Sequence, residues 1–337
     1  MRSGEQVLRI SSQIASLIGE VSHLARSFLR APRFKAREIF GWNSGRDTSQ
    51  LKTAAGSKLL NRIRAECQLE SLLTSPFNLT SPLIELQNVF VQRGDFLALK
   101  GLSLRIDSGE HVAILGPNGC GKSTLIKTVT RECYPLVRPE TSLRILGQQN
   151  WNIFELRSYL GVVSNDLMAQ CTRDITGREL VLSGFFGSIG IWPNHHVTPE
   201  MEAAARHAME RLEAQHLADR WLDELSSGEA RRLLIARALV HHPSTLLLDE
   251  PTTSLDLPTL REIRGQLRSL AQNGVGLLLI THHLDDIIPE IERVVLLRDG
   301  VVHLDGPKHE MLTSGGLSEV FRVPLRVFER DGFYHAW

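Results

Sequence analysis

The chain has 337 residues, of which 42% are hydrophobic and 23% are charged, a composition typical of a globular protein and not of a disordered one. Its purely apolar runs, such as residues 277–280, are far shorter than the roughly 18 residues needed to span a bilayer, so we expect no membrane-spanning segment. The 38 basic and 38 acidic side chains cancel, and the four cysteines lack the spacing of a zinc site or a disulfide framework, which favours a reducing compartment.

The charge is unevenly distributed along the chain. Residues 1–82 carry 12 basic and 6 acidic side chains, so the remainder is mildly acidic, which argues against nucleic acid as its main partner. Apolar residues from Val7 to Phe28 recur at spacings of three and four and predict one helix. Three interpretations of this extension stay open: a poorly ordered terminus with one helix, a basic helix on an anionic membrane, or an organelle-targeting peptide. Pro76 and Pro82 predict a linker before the body begins at residue 83.

The body opens with strand patterns. Residues 84–86 and 102–106 alternate between apolar and polar, which predicts half-buried strands, and the apolar run 112–115 predicts a buried one. A helix is predicted over 123–130. Between the buried strand and this helix lies a sequence that fits G-x-x-x-x-G-K-[ST], consisting of Gly116, Pro117, Asn118, Gly119, Cys120, Gly121, Lys122, Ser123 and Thr124.

The residue types in this loop suit phosphate binding. Glycines let the backbone wrap closely around a phosphate, and the amides of the helix N-terminus then point at it. Lys122 is expected to reach the β- and γ-phosphates, and the Ser123 hydroxyl is expected to bind Mg²⁺. Cys120 is interpreted as a small neutral residue; the alternative is a reactive thiol activated by the helix N-terminus.

Further along the chain, a strand pattern beginning at Thr245 ends in two carboxylates and a proline. Ligands of parallel α/β sheets lie at the carboxyl ends of the strands. Asp249 is therefore predicted to hold Mg²⁺ through water, and Glu250 to orient and deprotonate the attacking water.

Ser226 and Glu229 have the spacing of a capping box before the helical run 231–240. The amides at the N-terminus of such a helix, together with the Ser227 hydroxyl, can bind a γ-phosphate. Thr176 with Glu179 predicts another helix start. Near the end of the body, Asp299-Gly300 between two apolar runs predicts a hairpin with a type I′ turn.

Four motifs in this order resemble an ABC-type ATPase subunit: GPNGCGKST, LSSGE, LLLDEP with the following SLD, and Thr281-His282. The resemblance covers about residues 83–328. It implies a P-loop NTPase of ABC type within 83–330, in which a RecA-like α/β core carries an antiparallel β subdomain and an α-helical insert at about 166–225. Residues 331–337 are then a short tail.

The resemblance also implies roles for particular residues and two bound species, ATP and Mg²⁺. Two subunits pair head to tail, so that the phosphate loop of one faces the signature of the other, here Ser226, Ser227, Gly228 and Glu229. His282 contacts the γ-phosphate and acts with Lys122 and Glu250 in catalysis. Asp256 communicates between the two sites.

Two positions depart from the family pattern. Asn165 stands where the family usually has a glutamine that links the nucleotide to the helical insert, and it is one methylene shorter. Arg93 stands where an aromatic residue usually stacks on adenine; a guanidinium can also stack on a purine. Two nearby aromatic residues, Phe90 and Phe96, are the alternatives for stacking on adenine, although each is interpreted as a core residue.

The predicted function is Mg²⁺-dependent ATP hydrolysis by a homodimer that drives a separate membrane permease. We therefore expect the chain in the cytoplasm, at the membrane through its permease. Residues 181–189 and 317–324 resemble the molybdate/iron-chelate branch of these transporters. Three alternatives are an ABC ATPase that acts on ribosomes or DNA, a weakly hydrolysing regulatory module, and a membrane-tethered scaffold.

Overall fold

The computed structural model describes residues 81–164, 167 and 174–337. The predicted N-terminal helix, the linker up to residue 80 and Asn165 lie outside the described residues. The described strands are β1 (Ile84–Arg93), β2 (Phe96–Ile106), β3 (His111–Leu115), β4 (Ser142–Ile145), β5 (Leu160–Val163), β6 (Thr245–Asp249), β7 (Gly276–Thr281), β8 (Arg293–Arg298), β9 (Val301–Pro307), β10 (Val327–Arg330) and β11 (Phe333–Ala336). The described α-helices are α1 (Lys122–Val129), α2 (Ile153–Tyr159), α3 (Gly177–Leu182), α4 (Pro199–Arg211), α5 (Ser227–Leu239), α6 (Leu257–Gln272), α7 (Lys308–Met311) and α8 (Ser314–Phe321).

The central sheet has the strand order β5-β6-β7-β3-β8-β9, in which the first five strands are parallel and β9 is antiparallel. Strand β7 therefore lies between β3 and β6. Leu115 pairs with Thr281, and Asp249 pairs with Ile280. The carboxyl ends of β3, β6 and β7, which precede the three predicted catalytic segments, thus meet at one edge of the sheet.

Each face of this sheet belongs to its own hydrophobic core. Along β3, Val112 and Ile114 pack in a core with the antiparallel sheet β2-β1-β4 and α1. Ala113 and Leu115 point to the other face, where α5, α6 and the helices before them pack. This alternation follows from the side-chain period of two along a strand. A parallel sheet buried on both faces explains why β3, β6 and β7 read as short apolar runs.

Between β5 and β6, the described residues 174–244 form mainly helices. Thr176 caps α3 and Ser226 caps α5, each in a reciprocal capping box with the glutamate three residues later, as predicted. Helix α4 begins with Pro199 in its first turn and Thr198 as its cap.

The C-terminal part contains two hairpins. In the predicted hairpin β8–β9, Asp299 and Gly300 both have positive φ, as a type I′ turn requires. The second hairpin, β10–β11, was not predicted; its turn residues Asp331 and Gly332 also have positive φ. Over the described residues, no helix has both the length and the apolar character needed to cross a bilayer.

Candidate functional site

The lysine of the phosphate loop is hydrogen-bonded to the backbone of that loop. The Lys122 side chain is 6% exposed, and its ammonium donates to the carbonyl oxygens of Gly116 (2.7 Å) and Pro117 (3.1 Å). Both acceptors are uncharged. A buried cation among neutral acceptors favours an added anion, since burial strengthens its interaction with a negative charge. Ser123, at the start of α1, is exposed.

Two glycines allow the loop to pack closely against its neighbours. A Cβ at Gly116 would lie 2.3 Å from the carbonyl oxygen of Leu297, and one at Gly121 would lie 2.8 Å from that of Ala98. Gly121 also has φ of 111°, which disfavours residues with a side chain. The loop is tied to the β8–β9 turn because the Gly300 N–H donates to the Cys120 carbonyl at 3.0 Å.

The environment of Cys120 favours a small neutral residue over a reactive thiol. The side chain is buried, and burial raises the pKa of its thiol above the usual value. The positive charge of Lys122 acts in the opposite direction but is the smaller effect. A raised pKa means little thiolate near neutral pH, which favours the interpretation as a small neutral residue over the reactive thiol.

Glu250 is the first residue after β6, and its backbone turns sharply. Its φ is +48°, a left-handed conformation that is uncommon for residues other than glycine. Its N–H donates to the carbonyl of Ile280 at 2.8 Å, which ties the end of β6 to β7. Its Oε1 lies 2.8 Å from Nδ1 of His282, and its Oε2 accepts from the Thr253 hydroxyl at 3.3 Å. The strained backbone thus directs the carboxylate at the histidine of the neighbouring strand.

A buried network behind His282 was missed by sequence reasoning. The Thr281 hydroxyl donates to Oδ2 of Asp286 at 2.8 Å and accepts from the His283 N–H at 3.0 Å. Asp286 is 2% exposed and pairs through Oδ1 with Arg264 of α6 at 3.2 Å. The signal available in the sequence was two acidic residues, Asp285 and Asp286, close behind the histidine.

The N-terminus of α5 presents the signature residues. Ser226 and Glu229 exchange hydrogen bonds in the capping box, and the resulting bond from the Ser226 N–H lowers the pKa of the Glu229 carboxyl. Ser227 is exposed. Gly228 is buried against α6, since a Cβ there would lie 2.0 Å from Cγ2 of Thr259.

The contact between Gly228 and Thr259 also places Asp256 near the N-terminus of α5. Asp256 is the exposed N-cap of α6 and accepts from the Thr259 N–H at 3.2 Å. Hydrogen bonds from Thr259 lower the pKa of its carboxyl. Two predicted site residues, Gly228 and Asp256, therefore both lie against Thr259, which the motifs did not identify.

The structure corrects one prediction for the adenine-binding side of the site. Phe96 is 66% exposed and is not a core residue, because it lies at the tip of the β1–β2 hairpin opposite Arg93. Phe90 is half-buried, with the Arg138 guanidinium 3.8 Å from its ring centre. The Arg93 guanidinium donates to Sγ of Cys133 at 3.2 Å.

Comparison with known proteins places the chain in a family. Residues 99–253 match the ABC transporter family. The uncharacterised ABC transporter ATP-binding protein YlmA of Bacillus subtilis is 32% identical over 73% of this chain and 93% of its own length. The hemin import ATP-binding protein HmuV of Nitrobacter winogradskyi is 32% identical over 74% of this chain and 93% of its own length.

A solved structure extends the likeness to the fold. This structure is the dimeric, post-hydrolysis state of the ATP-binding cassette MJ0796 bound to ADP and Pi. The two sequences are 27% identical. The match spans 66% of this chain and 98% of the MJ0796 chain, with a TM-score of 0.54. The expected P-loop fold and the resemblance to the iron-chelate branch are confirmed. The chain belongs to the ABC transporter family and is an ABC-type ATPase.

Proposed function

We propose that this chain hydrolyses ATP with Mg²⁺ as a head-to-tail homodimer and thereby energises a separate membrane permease. The observation that carries the proposal is the 2.8 Å pair between Glu250 and His282 at the edge of the sheet where the phosphate loop begins. It sets a general base and a hydrogen-bonding imidazole beside a loop built for phosphate.

The phosphate loop provides the binding energy. Lys122 is positioned to exchange one or both of its carbonyl partners for phosphate oxygens, which are stronger acceptors because they are charged. The amides from Asn118 to Thr124 and the N-terminus of α1 add further positive potential.

Mg²⁺ fits the donor set at this edge. The exposed Ser123 hydroxyl and the partly buried Asp249 carboxylate both offer oxygen atoms, the ligand type that Mg²⁺ prefers. The ion would neutralise charge on the phosphates.

Glu250 and His282 then have distinct roles. Glu250 orients a water molecule and accepts its proton as the water attacks the γ-phosphorus. His282 has two roles: through Nδ1 it orients the Glu250 carboxylate, and it also contacts the γ-phosphate. Thr253, which donates to the other carboxylate oxygen, limits rotation of the Glu250 side chain.

The dimer is supported by the exposure of Ser227 at the start of α5. An exposed hydroxyl at the N-terminus of a helix suits the γ-phosphate of a nucleotide held by a second subunit. Asp256 is linked to this helix end through Thr259 and is proposed to communicate between the two sites. The dimeric form of the MJ0796 cassette supports the same arrangement.

A groove between the core and the helical region is the proposed docking site for the permease. It has a volume of about 440 Å³ and is lined by α2, β5, the segment after α3 and the end of α5, including Leu156, Val162 and Ile189. By the family resemblance, Asn165 is proposed to link the nucleotide to the helical insert. The import functions named for relatives such as HmuV support a transport role and a location at the membrane surface.

The test is a Glu250→Gln variant, which removes the general base and leaves the phosphate cradle intact. With ATP and Mg²⁺ it should form a stable dimer by light scattering and lose turnover, whereas EDTA should return it to monomer. Glu262→Gln, on the exposed side of α6, is the matched control and should behave as wild type. Lys122→Ala should bind or turn over no ATP. A monomeric Glu250→Gln protein in ATP, with unchanged turnover, would contradict the mechanism.

The partner requires its own experiment. Tagged chain isolated from its native cells with mild detergent should carry a polytopic membrane protein. Co-sedimentation with ribosomes in place of that protein would favour the ribosomal alternative, and tight ATP binding without turnover would favour the regulatory one.

A further inference from the structure

Residues 282–286, termed here the histidine loop, are held from the inside by the core. Asp286 is buried and accepts from Thr281 and Arg264, as described above. Its N–H also donates to the His283 carbonyl at 3.3 Å, which closes a single 3₁₀ turn over Leu284–Asp286. These bonds fix the inner end of the loop.

The outer side of the loop is held by the C-terminal hairpin, β10–β11. Nδ1 of His335 in β11 lies 2.6 Å from Oδ1 of Asp285. The Phe328 ring stacks on the His335 imidazole, with centroids 5.0 Å apart and an interplanar angle of 28°, and Trp337 lies 4.9 Å from Phe328. The imidazole is thus oriented by its own hairpin before it meets the loop.

The hairpin is itself anchored on its opposite face. Tyr334 is 7% exposed and packs in the main core. The turn at Gly332 packs against Pro289, to which an added Cβ would approach within 3.0 Å. A rigid hairpin that reaches the core on one face and the histidine loop on the other can fix the position of that loop.

We propose that His335 is a positioning residue for ATP hydrolysis: through Asp285 it holds the histidine loop so that His282 stays aligned with Glu250. The inference rests on the proposed function of His282. His335 touches neither Glu250 nor His282, so its effect passes through the loop backbone from Asp285.

The size of the effect follows from the exposure of the pair. Asp285 is half exposed, and a pair of this kind stabilises by less than about 1 kcal/mol, which converts to at most about a fivefold change in rate. An interaction of this size is too weak to decide whether the chain folds, because Tyr334 and the buried Asp286 network remain in place.

The experiment compares full-length variants at position 335. His335→Leu removes the donor and should lower kcat about threefold to fivefold with an unchanged KM for ATP and an unchanged melting temperature. His335→Asn places an amide nitrogen where Nδ1 lies and should restore kcat, whereas His335→Gln places it near Nε2 and should not. Hydrogen exchange of peptides spanning 282–288 should be faster in His335→Leu and His335→Gln than in wild type, and unchanged in His335→Asn.

The controls separate this inference from a general effect of surface changes. His309→Leu removes an exposed histidine from the looser pair with Glu310, at 3.8 Å, and should match wild type. Asp285→Ala combined with His335→Leu should lose no more than either change alone, because both remove the same bond. Three outcomes would overturn this inference and leave the proposed function standing. They are additive losses of kcat in the double variant, equal kcat in His335→Leu and His335→Asn, and unchanged kcat in His335→Leu. A wild-type chain without ATP turnover would overturn the proposed function together with it.

Discussion

Replacing Gly228 by alanine should force the signature helix α5 away from α6. The added Cβ would lie 2.0 Å from Cγ2 of Thr259, whereas carbon atoms in contact lie about 3.5–4.0 Å apart. Relief requires either a shift of about 1.5 Å between the helices or rotation of the Thr259 side chain. Rotation would disturb the side-chain interaction with Asp256 that lowers the pKa of that carboxyl.

Overpacking of this kind costs about 1–3 kcal/mol, which corresponds to a fall in Tm of about 3–10 °C for a domain of this size. The functional effect should be larger than the loss of stability. Ser226 and Ser227 begin the same helix, so the displacement moves the amides that are proposed to meet a partner's γ-phosphate. In a Glu250→Gln background, Gly228→Ala should therefore weaken ATP-dependent dimerisation, measured by sedimentation at several protein concentrations.

A second change in the same contact should reverse both effects. Thr259→Ser removes Cγ2 and keeps the hydroxyl, and the next contacts of the added Cβ, Thr259 Cβ and Oγ1, are then 3.3 and 3.4 Å away. The Gly228→Ala, Thr259→Ser protein should regain most of its Tm and its dimer. Gly265→Ala is the matched control on α6, where an added Cβ has no neighbour within 4 Å, and it should be neutral or stabilise by up to about 1 kcal/mol. Wild-type melting and dimerisation in Gly228→Ala, or failure of Thr259→Ser to rescue it, would refute the steric argument.

Two further predictions concern titrating groups of the site. Because burial raises its thiol pKa, Cys120 should react with iodoacetamide near neutral pH more slowly than the partly exposed Cys133, as read by peptide mass spectrometry; faster reaction of Cys120 would contradict its burial. The capping bonds depress the pKa of Glu229 in the folded state, so its stabilising effect is present above the unfolded pKa and is lost as the pH falls through the folded one. Between about pH 5 and about pH 3, the free energy of unfolding should then fall less in Glu229→Gln than in wild type. Urea titration at each pH measures this difference. Equal falls in the two proteins would show that Glu229 does not contribute to the pH dependence of stability.

Much of the fold could be predicted because its determinants are local. The apolar runs of β3, β6 and β7, the capping boxes at Thr176 and Ser226, and the Asp299-Gly300 turn each depend on residues close in sequence, and the structure contains all of them. Their assembly at one edge then follows from a general property of parallel sheets, since the carboxyl ends of neighbouring strands coincide.

Contacts between distant segments could not be predicted in the same way. Gly228 is a signature residue by sequence, but its partner Thr259 lies on another helix and carries no motif. The exposure of Phe96 depends on where the β1–β2 hairpin ends, and an apolar side chain at a hairpin tip has no pattern to distinguish it from one in the core. The β10–β11 hairpin escaped prediction because its turn, Asp331-Gly332, was assigned to a tail.

The conformation of Glu250 explains why the site needs these distant contacts. A left-handed residue with a side chain costs about 1–2 kcal/mol, and it persists only where the surrounding structure fixes it. Here the N–H is held by the Ile280 carbonyl and the carboxylate by His282, so both ends of the strained residue depend on β7 and the loop that follows it. Alignment of the proposed general base therefore depends on two strands together. We expect any element that shifts the histidine loop, including the C-terminal hairpin, to change the position of the Glu250 carboxylate.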